Sequence, residues 1–167
     1  MNRVMIIGCG GAGKSTLALK LSEMTGLPVV HLDQIYWSPG NWQHLEKEAF
    51  DELLMRELEK PHWIMDGNFN RTMKMRLNSC DTVIYLDFNR FTCIAGWLKR
   101  VITNWGTARP DMGPGCKEWF DPEFANWIWN FNKQNRTRYL EILAGQKDKT
   151  VIILKNRRQV RKFLNNL

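Results

Sequence analysis

The stretch GCGGAGKST, from Gly8 to Thr16, decides which fold this sequence can adopt. It has the spacing G-x-x-x-x-G-K-S, it follows the short apolar run VMIIG, and it leads into an amphipathic segment. Glycines let backbone N–H groups turn toward an anion with no Cβ in the way, and the start of a helix adds partial positive charge. The pattern therefore predicts a phosphate-binding loop between a strand and a helix.

This loop predicts binding of ATP together with Mg²⁺. We expect Lys14 to reach the β- and γ-phosphates, the Ser15 hydroxyl to ligate the metal, and Thr16 to support the α-phosphate. The remaining loop contacts to the phosphates are expected from Gly8, Gly10, Gly11, Ala12 and Gly13. Cys9 is interpreted as a small buried spacer, and a thiol of lowered pKa is the alternative.

The rest of the chain alternates short β-rich runs with longer amphipathic ones. The β-rich runs after the first are VVHLD, WIMDG, TVIYLD and TVIILK. Such alternation is typical of an α/β fold in which helices cover both faces of a parallel sheet, and we predict one three-layer domain over residues 1–167. Residues 106–121, GTARPDMGPGCKEWFD, are rich in Gly and Pro and are predicted to be a loop that projects as a lid.

Composition indicates a globular protein but does not identify its binding partner. The chain has 167 residues, 44% of them hydrophobic and 25% charged, which is typical of a globular domain. The four cysteines form no CxxC pair, and no secretory or membrane-spanning segment is recognised, so a cytoplasmic protein is expected. The net charge of +7 fits an enzyme that handles phosphates and a nucleic-acid binder equally well.

Acidic residues at strand ends are candidates because ligands of open α/β sheets bind beyond the carboxyl ends of the strands. Asp66, in WIMDG, is predicted to hold Mg²⁺, with helix capping as the alternative. Asp33 is predicted to end the second strand and to act on the acceptor as a general base or by orienting it; a solvated turn residue is the alternative. Asp87 is expected to cap a helix, and His31 is expected to be a packing residue.

Arginines near the predicted lid are candidates for contacts with the transferred phosphoryl group. Arg100 and Arg136 are predicted to be catalytic together with Lys14 and Asp33, and Arg109 to contact the nucleotide. Solvated surface arginines are the alternative for any one of them.

The motif GCGGAGKST, the segment HLDQIYW with the following SPGNW, the segment WIMDGNFNRT and the arm RPDMGPGCKEWFDPEFANWIWNF together resemble topology modulation proteins. These are nucleotide-kinase-like P-loop proteins related to adenylate and shikimate kinases. The resemblance covers nearly the whole chain. It implies a five-stranded parallel sheet in the order 2-3-1-4-5, an acceptor region after the second strand and a lid over ATP.

The resemblance also implies further binding residues. The adenine is expected near Lys155 and Asn156, and the acceptor near Asp33 with Trp37, Gly67 and Arg71. Arg71 corresponds to the arginine that grips an acceptor phosphate in adenylate kinases. Between the phosphate loop and Arg56, however, the only basic residues are Lys20 and Lys47. This scarcity is more typical of kinases whose acceptor presents a hydroxyl.

The sequence thus predicts a small-molecule kinase that moves the γ-phosphoryl group of ATP onto a nucleoside, nucleotide or hydroxy metabolite. The alternative is a nucleotide-dependent regulator of DNA topology that binds DNA through its basic C-terminal segment NRRQVRKFL, although no DNA-binding motif supports it. A third hypothesis is an ATPase in which water is the acceptor. No membrane contact is expected, and the oligomeric state is not predicted.

Overall fold

The computed structural model describes all residues, 1–167, and contains five strands and eight α-helices. The strands are β1 (Arg3–Gly8), β2 (Val29–His31), β3 (Trp63–Asp66), β4 (Thr82–Leu86) and β5 (Thr150–Leu154). The helices are α1 (Lys14–Thr25), α2 (Leu32–Tyr36), α3 (Lys47–Glu59), α4 (Met73–Ser79), α5 (Arg90–Thr103), α6 (Pro122–Phe131), α7 (Thr137–Ala144) and α8 (Arg157–Asn165). A 3₁₀ turn over Asn70–Thr72 precedes α4, and a π-helical turn over Asn132–Arg136 joins α6 to α7.

The five strands form one parallel sheet in the order β2-β3-β1-β4-β5. This confirms both the α/β class and the strand order implied by the resemblance. Strands β1, β3 and β4 are buried almost throughout because helices cover both faces of the sheet, which explains their continuous apolar runs. Since all strands run in the same direction, their carboxyl ends lie along one edge of the sheet, where the loops that follow them meet.

The second strand is shorter than the sequence indicated. The segment VVHLD was predicted to be a strand ending at Asp33, but β2 ends at His31 and the chain turns at once into α2. Asp33 therefore lies in the first turn of a short helix. The local apolar pattern of the segment does not distinguish a strand from a buried helical turn.

Residues 106–121, the lid segment, have no helix or named strand, as predicted, but the segment does not project into solvent. It folds against the chain that follows α2: the Asn41 N–H donates to the Pro114 carbonyl at 2.9 Å, and the Trp42 N–H donates to Cys116 Sγ at 3.3 Å. A Cβ on Gly113 would lie 1.9 Å from the Trp37 carbonyl oxygen, so only glycine permits this approach. The lid segment is thus closed onto the predicted acceptor region.

No helix of the structure combines the length and the apolar character needed to span a membrane. All four cysteines are free and buried.

Candidate active site

The loop between β1 and α1 has the geometry of an anion-binding turn. Gly11 and Gly13 adopt φ of 75° and 95°, values that residues with a side chain rarely take, and Gly13 lies directly before the first turn of α1. The Lys14 ammonium folds back over the loop and donates to the Cys9 carbonyl at 3.1 Å. The side chains of Ser15 and Thr16 follow at the start of the helix. The ammonium and the helix N-terminus are thus placed together where phosphates would bind.

Two helices brace this loop from outside. A Cβ on Gly11 would lie 2.1 Å from the Cys93 carbonyl oxygen of α5, and a Cβ on Gly10 would lie 2.8 Å from the Phe124 ring of α6. The Cys9 thiol is buried against α6 and donates to the Ile128 carbonyl at 3.8 Å. Its hydrogen bond with Cys93 and its burial raise the pKa of the Cys9 thiol, which stays neutral. Cys9 is therefore a buried spacer rather than a reactive thiol.

A chain of three polar side chains links the loop to strands β3 and β2. The Ser15 hydroxyl donates to Asp66 Oδ2 at 2.7 Å, and the other carboxylate oxygen of Asp66 lies 2.6 Å from His31 Nδ1. Asp66 is the last residue of β3 and is 5% exposed. The hydroxyl and the carboxylate are oxygen ligands of the kind that Mg²⁺ prefers, and few protein ligands are needed because phosphates and waters complete its shell. The residues present therefore fit a Mg²⁺ ion.

His31, which the sequence predicted to be a packing residue, is buried and lies within hydrogen-bond distance of Asp66. The parallel register places His31 directly beside Asp66, so the two side chains meet across neighbouring strands. Burial alone would lower the pKa of His31, but the hydrogen bond and the negative charge of Asp66 outweigh it and raise this pKa above its usual value. The imidazole thereby orients the Asp66 carboxylate.

Asp33, in the first turn of α2, is the second carboxylate at this edge of the sheet. Its side chain makes no hydrogen bond and no ion pair. Burial and the negative charges of Asp66 and Asp111 raise the pKa of Asp33 to about 6, although Lys14 and Arg109 act in the opposite direction. The carboxylate is thus partly desolvated and has no cation of its own.

Beside Asp33 lies a cavity of about 390 Å³, a size that suits a small molecule. The lid segment, α2, α5 and the start of α6 contribute to its walls. Seven of its lining residues are aromatic: Tyr36, Trp37, Trp42, Phe69, Trp97, Trp119 and Phe124. The predicted substrate residue Trp37 is therefore at the cavity, together with Asp33. Phe124 and Trp97 also lie against the phosphate loop, so the cavity is next to it.

Two arginines line the same cavity and form ion pairs with carboxylates: Arg100 on α5 and Arg109 in the lid segment. Arg100 donates from Nε and Nη2 to Glu118 Oε1 at 3.1 and 2.9 Å. Arg109 donates from Nε to Glu118 Oε2 at 2.9 Å and from Nη1 to Asp111 at 2.7 and 2.9 Å. Glu118 is 5% exposed and ties both arginines together. Nothing in the local sequence of Glu118 indicated this role.

Arg136 lies outside this cavity. It makes a two-pronged ion pair with Asp87, from Nε at 2.8 Å and from Nη2 at 2.9 Å. Asp87 was expected to cap a helix, but that prediction was wrong: Asn89 caps α5 by accepting from the Thr92 N–H. Asp87 instead anchors Arg136 at the carboxyl end of β4.

Arg71 does not line the cavity. Its guanidinium is 48% exposed and pairs with both carboxylate oxygens of Asp51 on α3 at 2.6 Å. Arg76, which the sequence analysis did not single out, is fully buried and donates to the carbonyls of Gly67, Asn68 and Phe69. It therefore shapes the loop after β3. Gly67, with φ of 134°, packs so closely on Leu32 that a Cβ would lie 2.9 Å from it.

A second, more open groove of about 770 Å³ lies between α5 and the start of α8. Asn156 lines it, and the Asn156 side chain caps α8 by accepting from the Gln159 N–H at 2.9 Å. The neighbouring Lys155 N–H donates to Gln159 Oε1 at 2.7 Å. Across the groove Gly96 touches Gly11 of the phosphate loop. The groove therefore lies next to the loop, and it includes Asn156, near which the adenine was expected.

Comparison with solved structures finds the same fold. The crystal structure of shikimate kinase from Bacteroides thetaiotaomicron matches with a TM-score of 0.61 and 14% sequence identity, over 99% of this chain and 95% of that chain. At this identity the match shows the P-loop nucleotide-kinase fold. Comparisons with protein-family models and with curated proteins find no match. Membership of the topology modulation proteins therefore stays a prediction.

Proposed function

We propose that this chain is an ATP- and Mg²⁺-dependent kinase that transfers the γ-phosphoryl group to a hydroxyl group of a small acceptor. The observation that carries the proposal is the 2.7 Å hydrogen bond between the Ser15 hydroxyl of the phosphate loop and Asp66 at the end of β3. This pair joins a nucleotide-binding loop to a metal-binding carboxylate. The cavity beside Asp33 then supplies a place for the acceptor.

On the ATP side, the loop amides and the Lys14 ammonium would bind the β- and γ-phosphates, in place of the Cys9 carbonyl that Lys14 now contacts. Thr16 would support the α-phosphate, and the groove at Asn156 would take the adenine. Ser15 and Asp66 would hold Mg²⁺, which when bound neutralises charge on the phosphate oxygens. His31 keeps the Asp66 carboxylate in place.

On the acceptor side, Asp33 would accept a hydrogen bond from the attacking hydroxyl and take up its proton. A carboxylate with a pKa of about 6 is a better proton acceptor than an ordinary aspartate at neutral pH. Phosphoryl transfer through a loose transition state needs little base assistance, so orientation of the hydroxyl is the larger part of this role.

Arg100 and Arg109 would stabilise the γ-phosphoryl group during its transfer. Arg100 and Arg109 each keep one terminal nitrogen outside their ion pairs, Nη1 and Nη2 respectively. Glu118 and Asp111 hold these forks in a fixed orientation, so no reorganisation is needed at the moment of transfer. Arg136, anchored by Asp87, is proposed as a further positive charge at the same edge. The closed lid would exclude water, which favours transfer over hydrolysis.

The free, buried cysteines support the proposal of a cytoplasmic location.

The test is a matched pair of lysine variants on α1. We expect Lys14→Ala to lower acceptor-dependent ADP release by about a hundredfold or more, because it removes the charge that meets the β- and γ-phosphates. Lys20→Ala, an exposed change on the same helix, should behave as wild type. Unchanged ATP affinity and turnover in a folded Lys14→Ala protein would contradict the proposal.

The same assay separates the other hypotheses. ADP release that is equally fast without any acceptor would indicate an ATPase. A protein that consumes no ATP with pooled nucleosides, nucleotides and hydroxy metabolites, but binds DNA with a steep dependence on salt, would be a DNA-binding protein.

A further inference from the structure

The cavity beside Asp33 has walls that suit a flat ring. Trp37, Trp42 and Trp119 form a connected aromatic series, with ring centroids 5.4 Å apart between Trp37 and Trp42 and 5.1 Å apart between Trp42 and Trp119. Tyr36 and Phe69 continue it, edge to face at 5.2 Å. Aromatic walls favour a ligand with a large flat surface over a small polyhydroxylated one, because flat rings bury apolar area and pack in stacked or edge-on geometry.

Trp42, one of the residues that line the cavity, carries a hydrogen-bond donor without a partner. The indole N–H of Trp42 is buried and makes no hydrogen bond. Trp42 and the preceding Asn41 are held at φ of 62° and 50°, so the backbone is strained to place this ring. A buried donor is normally satisfied, so the unsatisfied N–H on this cavity-lining ring is available to an acceptor atom of a ligand that packs against the ring. A ring nitrogen or a ring carbonyl oxygen would supply it.

The charges at the cavity disfavour an anion. Glu118 and Asp111 already pair with Arg100 and Arg109, so these arginines offer an anionic acceptor little net positive charge and only one unpaired terminal nitrogen each. Two carboxylates at the cavity have no cationic partner: Asp121, which caps α6, and Asp33. A further anion beside them would be repelled.

We propose that the acceptor is an uncharged compound with a flat heterocyclic ring and a hydroxyl group, of the class of the nucleosides. This inference rests on the proposed kinase function and narrows it: Asp33 meets the hydroxyl, the tryptophans meet the ring, and the Trp42 N–H binds an acceptor atom of the ring. Nucleoside 5′-monophosphates, which carry the same ring and an added anion, are disfavoured, because the charges of both arginines are already compensated and their unpaired nitrogens are assigned to the transferring phosphoryl group.

The experiment compares three probes on the wild-type chain with ATP and Mg²⁺: the common nucleosides, their 5′-monophosphates, and D-ribose, which has hydroxyls but no ring base. We expect kcat/KM for at least one nucleoside to exceed that for its monophosphate and that for ribose by tenfold or more. Calorimetric binding of the same probes, with a non-hydrolysable ATP analogue present, gives a readout that does not depend on turnover. A preference for monophosphates or for ribose, or no binding of any nucleoside, overturns the inference.

Two outcomes distinguish this inference from the proposed function. Turnover with monophosphates alone would keep the kinase and overturn the acceptor class. Selective binding of nucleosides without any turnover would support the acceptor class and contradict the kinase.

Substitution of Trp42 by the smaller aromatic residue Phe tests the donor. Trp42→Phe keeps an aromatic ring and removes the N–H, so the KM for the nucleoside should rise about five- to tenfold while the KM for ATP stays unchanged. Trp129→Phe is the matched control, because Trp129 packs on Phe91 at the surface of α6 and does not line the cavity. Equal KM values for the nucleoside in wild type and Trp42→Phe would refute the role of the donor.

Discussion

Replacing Asp33 by asparagine should make the protein more stable and less active at the same time. In the folded chain the pKa of Asp33 is raised from 3.8 to about 6, chiefly by burial and by the charge of Asp66. A group whose folded pKa is raised contributes stability below its unfolded pKa and loses that contribution as the pH rises through the folded value. Above pH 6 the ionised Asp33 therefore costs folding free energy.

The size of this cost follows from the two pKa values. The difference between 3.8 and about 6 corresponds to about 3 kcal/mol at neutral pH and above. Because Asp33 is only half-buried and keeps some contact with water, we expect about 2 kcal/mol. Asp33→Asn removes the charge and keeps the shape. It should therefore raise the free energy of unfolding by about 2 kcal/mol at pH 8, and by only about 0.5 kcal/mol near pH 4, where Asp33 is protonated in the folded chain.

Urea unfolding of the nucleotide-free protein at pH 8, 6 and 4 measures this dependence. Glu52→Gln, at an exposed position of α3, is the control and should change the stability little at any pH. In the Asp33→Asn variant, phosphoryl transfer should fall by about a hundredfold, because the attacking hydroxyl loses the carboxylate that orients it and takes up its proton, while ATP affinity stays nearly unchanged. A variant that is no more stable than wild type at pH 8, or whose gain is independent of pH, would refute the assignment of a desolvated, unpaired carboxylate.

Two further predictions concern the packing of the phosphate loop and of the lid segment. Gly96→Ala should destabilise the protein by about 3 kcal/mol in urea unfolding, because the new Cβ would lie 2.1 Å from the Gly11 carbonyl oxygen; Gly145→Ala, whose nearest such contact is 3.5 Å, should cost little. Residues 106–121 should gain protection from hydrogen exchange when an ATP analogue binds, because few hydrogen bonds join them to the chain after α2 and the nucleotide would add further contacts. Equal exchange with and without the analogue would contradict a lid that responds to ATP.

For the glycine-rich loop and the central strands the local pattern was sufficient, whereas it misplaced the end of β2. The motif from Gly8 to Ser15 specifies its own backbone, because glycines at fixed spacing are needed for the positive φ values and a helix must follow to present its N-terminus. The apolar runs of β1 and β4 likewise identify buried parallel strands without knowledge of their neighbours. The class of fold and the phosphate-binding loop could therefore be read from the sequence.

The sequence alone was thus enough to predict the α/β fold and the conformation of the glycine-rich loop, whereas the side chains that meet beside this loop depend on the tertiary structure. His31 is 35 residues from Asp66, and the two pair because β2 and β3 are in register. Asp87 is 49 residues from Arg136, with which it forms an ion pair, and Glu118 forms ion pairs with both Arg100 and Arg109. Hydrogen bonds and ion pairs between distant residues depend on register and on side-chain direction. Register and side-chain direction produce no periodic pattern in the sequence, because both depend on how whole helices and strands pack together.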